Sequence, residues 1–123
     1  MPKIFRQIFL NATINFGDRS AEDLQPAMRI NFNWPIINRD SVVLVTASEC
    51  HFNQETGTFT RFVGDARLWV ADVAPHGPPE THDGGVTFYL MTDWEFNTPI
   101  NVAVDITVFD DLPVGISVEN LQN

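Results

Sequence analysis

The chain has one cysteine, one lysine, one tyrosine and no apolar run longer than four residues. The single cysteine, Cys50, excludes an intrachain disulfide. Its place at the end of an apolar stretch suits an inert buried thiol better than a nucleophile. Cations are scarce: seven Lys and Arg face sixteen Asp and Glu. The resulting net charge of -9 repels nucleic acid and anionic membrane surfaces, so neither is an expected partner. Apolar runs such as Val42–Val45 are far shorter than the roughly 20 residues of a membrane-spanning helix. Met1 to Leu10 carries Lys3, Arg6 and Gln7 where a secretory leader would need a continuous apolar stretch, so a cytoplasmic chain is expected. Asn11-Ala12-Thr13 matches a glycosylation sequon, which carries no weight without a leader. Internal repeats, phosphate-binding glycine loops, serine elbows and compact zinc motifs are all lacking.

What remains is ample for a core. Ten Phe and three Trp supply large apolar surfaces, which argues against disorder. A chain of 123 residues makes one domain, 1–123, and buries roughly two-thirds of its unfolded surface without metal or disulfide.

The hydrophobic pattern has period two. Met28, Ile30, Phe32 and Trp34 alternate with Arg29, Asn31 and Asn33, and Pro35 ends the run because it lacks an amide donor. Val102, Val104, Ile106 and Val108 alternate with Asn101, Ala103, Asp105 and Thr107. Ile4 to Phe16 alternates too, with Ile4, Ile8 and Leu10 on one parity and Phe5 and Phe9 on the other, so a bend or bulge is expected there. Val42 to Val45 is apolar on both parities, the mark of a strand covered on both sides or facing another subunit. Further strands are expected over Thr58–Val63, Ala66–Val73 and Val86–Trp94, with a short terminal one over Val114–Val118. Gly17 to Ser20 reads as a turn and Ser20 to Leu24 as a capped helical turn. The expected fold is all-β: a two-layer antiparallel sandwich of about eight strands, with a small closed barrel as the alternative.

Two groups of residues could carry chemistry. The segment Ala74 to Gly85 holds His76, His82, Glu80 and Asp83 among three prolines. Its imidazoles and carboxylates could act as acid and base, with His51 as a further candidate, or His76, His82 and Asp83 could hold a metal. The six-residue gap between the two histidines fits no compact metal spacing, and no cofactor is indicated. Cys50 and His51 are adjacent on a strand and so point to opposite faces, which speaks against a nucleophilic pair.

The second group is aromatic and amide-rich. Trp69 and Trp94 could stack on neutral rings, while Asn31, Asn33, Asn101 and Asp105 offer directional hydrogen bonds. Trp69, Trp94, Asn101 and Asp105 are the primary ligand-binding candidates. The leading expectation is non-enzymatic recognition of a small neutral polar ligand, such as carbohydrate. A small enzyme using the histidine loop, metal-dependent or not, is the first alternative. A structural or assembly subunit is the second, with a homo-oligomer burying Trp69 or Val42–Val45 as its signature.

Overall fold

A computed structural model of the chain describes residues 1–13, 27–94, 98–109 and 114–122. The expected turn at Gly17 to Ser20 and the helical turn after it lie outside the described residues. Seven strands run in the order β1 (Lys3–Ala12), β2 (Ala27–Asn33), β3 (Val42–Asn53), β4 (Thr58–Phe62), β5 (Leu68–His76), β6 (Gly85–Thr92) and β7 (Ile100–Phe109). They form a four-stranded sheet, β1-β7-β3-β4, and a three-stranded sheet, β2-β6-β5. Every pairing is antiparallel. The two sheets are open, so the fold is a sandwich and the closed-barrel alternative is set aside. Among the described residues there is no helix long and apolar enough to cross a membrane.

The core lies between the two central strands. Val102, Val104, Ile106 and Val108 of β7 face Val86, Phe88 and Leu90 of β6, with Ile37 and Val45 completing a cluster that excludes water. Burying these branched side chains is the main favourable term, at roughly 1.5–3 kcal/mol for each large one. One side of the sandwich is closed by Phe5, which packs on Phe32 at 4.9 Å and on Trp34 at 5.6 Å between ring centroids.

The structure settles the facing of two strands and amends two expectations. In β1 it is Phe5 and Phe9 that take the inward parity, while Ile4, Arg6, Ile8 and Leu10 point outward, because Arg6 meets a charge partner on β7. In β3, Val43 and Val45 face inward and Val42 and Leu44 remain exposed on the outer face. β5 runs on through Ala74, Pro75 and His76 instead of stopping at Val73. It is an edge strand, where proline's missing donor is tolerated. Finally, residues 114–122 form no strand and are exposed throughout.

Candidate ligand-binding site

The outer face of the three-stranded sheet is built in rows. Asn33, Gly85 and His76 form one row, Asn31, Thr87 and Ala74 the next, then Arg29, Tyr89 and Ala71, then Ala27, Met91 and Trp69. β2 and β6 supply these residues by plain alternation, since their other parity is the core. β5 does so only through a bulge. Three steps from Ala71 to Ala74 oppose two on β6, with Asp72 at φ 55 as the extra residue. Aspartate accepts this left-handed backbone more readily than a branched residue. The bulge inverts the parity of the strand beyond it. Without it His76 would point into the core; with it His76 shares a face with Trp69 and Asn31.

His76 closes a hydrogen-bonded network. Its Nδ1 lies 2.9 Å from the carbonyl oxygen of Asp83, an acceptor only, so Nδ1 carries a proton and donates. Its Nε2 lies 2.7 Å from Asn31 Oδ1. Asn31 Oδ1 also accepts from Thr87 Oγ1 at 3.1 Å, and Asn31 Nδ2 donates to Asn33 Oδ1 at 3.3 Å.

Above this row lies an open cleft of about 620 Å³, floored by Asn31, Asn33 and Thr87 and walled by Thr81, His82 and Asp83. A recess of about 310 Å³ adjoins it, sharing Asn33, His82 and Asp83. The wall is held by backbone. Trp34 N donates to Gly84 O at 2.9 Å, and Glu80 N and Thr81 N both donate to Gly77 O. A β-carbon on Gly85 would meet the Phe32 carbonyl oxygen and lie 2.9 Å from His76 Cε1. Glycine there makes room for the imidazole.

The remaining candidates lie elsewhere. Asp105 is on the outer face of the opposite sheet, where Arg6 Nε donates to Oδ1 at 2.8 Å and Arg6 Nη2 to Oδ2 at 3.1 Å. Arg61 Nη2 also donates to Oδ2. Both guanidiniums lie over the Phe59 ring, 4.6 and 5.1 Å from its centroid. The Arg6 hydrogen bond holds the Asp105 carboxyl below its usual range; burial opposes this, and the Arg61 charge adds to it. The same hydrogen bond raises Arg6 above its usual value. Asn101 Oδ1 accepts from Asn11 N at 2.9 Å, fastening the β1 bulge at which Asn11 takes φ 55. Trp94 Nε1 donates to Thr98 O at 3.1 Å and so spans the loop before β7. Trp69 alone of the four primary candidates shares the cleft's face.

His51 is exposed and stacks on Phe62, 4.4 Å between centroids, away from His76 and His82. Cys50 is only 1% exposed, and burial pushes its thiol up, partly offset by the Arg61 charge. Such a thiol stays protonated and is a poor nucleophile. His76 and His82 do meet at the cleft, and His82 Nδ1 lies 3.1 Å from Asp83 Oδ1. Among the described residues, however, no group of three or more His, Cys, Asp or Glu could hold a metal ion. Sequence reasoning weighed Asn31 and Asn33 but missed Arg29 and Thr87, which also line the cleft. Their alternation with buried residues marks an outward face, though nothing in it marks which outward face forms a cleft.

No protein-family model matches the chain, and neither does any curated protein or solved structure.

Two outcomes are expected. Gly85→Ala lowers stability by about 2 kcal/mol or more in urea unfolding, since the new methyl strikes backbone as well as His76. Gly115→Ala, with nothing within 4 Å, leaves it unchanged. The second concerns pH. Because the Asp105 carboxyl is depressed when folded, its stabilising contribution is complete above the ordinary aspartate value, about 4, and is lost as pH falls through the folded value. The melting temperature of Asp105→Asn should therefore lie below that of the unaltered chain at neutral pH. That gap should narrow on acidification, as read by calorimetry from pH 7 to pH 2. A gap independent of pH would mean that the ion pairs contribute nothing.

Proposed function

We propose that the outer face of the β2-β6-β5 sheet is a non-enzymatic recognition surface for a neutral, hydroxyl-rich ligand such as carbohydrate. The observation that carries this reading is the network of Asn31, Asn33, Thr87 and His76 on the floor of the cleft. Hydroxyls are both donors and acceptors, and interlocked amides and a threonine hydroxyl offer both roles in fixed directions. Fixing them before the ligand arrives lowers the ordering cost of binding. Every residue that lines the cleft is polar or charged, which distinguishes it from the apolar pockets that suit drug-like ligands.

Trp69 extends the reading. Its row is four residues along β6 from that of Asn31, about 14 Å at 3.4 Å per residue. It is 40% exposed, enough to offer a ring face. A ligand that meets both must lie along the sheet, which favours an oligosaccharide over a single ring. Acid–base chemistry is less well supported, because both ring nitrogens of His76 are engaged within the protein.

Titration with a panel of neutral oligosaccharides, monitored by amide and side-chain NMR shifts, tests the proposal. Shifts should cluster at Asn31, Asn33 and Thr87 and extend to Trp69. Asn31→Ala is expected to weaken binding about tenfold, the effect of losing one or two hydrogen bonds worth roughly 1 kcal/mol each. Millimolar ligands that leave these signals unmoved, or shifts confined to the other sheet, would sink the idea.

A further inference from the structure

Residues 114–122 carry a strand's pattern without a sheet. Val114, Ile116 and Val118 recur with period two, and with Leu121 they are 64%, 86%, 88% and 83% exposed. A lone exposed hydrophobe needs no explanation, but four in one short segment do. Gln122 N donates to Asn120 Oδ1, yet no backbone–backbone hydrogen bond joins this segment to another described residue.

The four-stranded sheet offers a matching vacancy in its ladder. β1 pairs with β7 on one side and lies at the sheet edge on the other. It is ten residues long, has no proline, and leaves Ile4 64%, Phe5 42% and Leu10 36% exposed. A long apolar edge of this kind is a template for another strand. The other edges are poorer: β4 has five residues, β5 has Pro75 and a mid-strand bulge where the bulge of β1 lies at its far end, and β2 is shorter and presents Arg29, Asn31 and Asn33 outward.

We propose that residues 114–122 of a second copy of the chain add antiparallel to the free edge of β1. One register gives Leu121, Glu119 and Ile116 matched partners and sets Val118 opposite Gln7. With Leu121 opposite Ile4, Glu119 falls opposite Arg6 on the outer face and Ile116 opposite Phe9 on the inner one. Charge supports that register. Arg6 and Arg61 share the single carboxylate of Asp105, leaving one excess positive charge, and Glu119 is the only charged residue of the segment. Leu121, which breaks the parity of Val114, Ile116 and Val118, then covers the most exposed residue of the β1 outer face.

Reach decides that the segment comes from another copy. β7 ends beside the start of β1, since Val108 pairs with Lys3, whereas this register puts Val114 beside Asn11 at the far end. Lys3 to Asn11 spans roughly 26 Å of strand. The five steps from Phe109 to Val114 cover at most about 18 Å. A chain therefore cannot fill its own edge this way.

The test uses the full chain. Sedimentation velocity should give a mass above the monomer, and Ile116→Asp should weaken the association at least tenfold while leaving the circular dichroism unchanged. Chains carrying Ile4→Cys with Cys50→Ala, mixed and oxidised with chains carrying Leu121→Cys with Cys50→Ala, should give a disulfide between the two. A monomer at every concentration overturns the proposal. So does association that survives Ile116→Asp, or a disulfide that closes within one dilute chain carrying both cysteines. All three readouts are independent of ligand binding, so they stand or fall apart from the recognition reading.

Discussion

Everything in this fold hangs on two strands that face each other and admit no water. β6 and β7 are each central in their sheet, and their inward side chains are almost completely buried. Their other parity is thereby forced outward, and the outward parity of β6 is the floor of the cleft. The polar network is thus a by-product of core packing, fixed in place by residues that never touch it. The arrangement is rigid at the floor because each row of the sheet is also a rung of a ladder.

The two outer faces have opposite characters for a reason that lies in their cross-strand partners. On the four-stranded sheet, Asp105 sits opposite Arg6 and within reach of Arg61, and the three charges are bound to one another above Phe59. Both oxygens of Asp105 are engaged within that cluster. On the three-stranded sheet, neutral amides and hydroxyls are linked in a chain with capacity left at its ends. Electrostatics stabilises one face, and directional neutral hydrogen bonding equips the other.

The fold class was legible in the sequence because period two survives in β2, β6 and β7 with hardly a break. The parity of β1 was not, since Ile4, Ile8 and Leu10 outnumber Phe5 and Phe9, and only the distant Asp105 explains why Arg6 drags that row outward. Val114 to Val118 misled for a related reason. Alternation reports an affinity for a sheet, and it does not show that a neighbouring strand is within reach. At the site, Asn31 and His76 are 45 positions apart and meet only because Asp72 inserts one residue into β5. A lone aspartate inside an apolar strand is the trace of that insertion, yet it reads equally well as a solvent-facing charge. Asp105, Asn101 and Trp94 attracted notice as polar or aromatic residues in apolar strands, and each proved to be tied to a neighbouring element.

The wall of the cleft rests on glycines. Gly77, Gly84 and Gly85 each bring backbone so close to the 32–38 segment that a methyl group would collide with it. The frame of the wall is therefore made of main chain, while the groups it displays, Thr81, His82 and Asp83, are exposed side chains with little structural duty. Frame and display are separable. A lineage that kept the three glycines could exchange the displayed residues one at a time and change which groups the cleft presents, without renegotiating the fold beneath it.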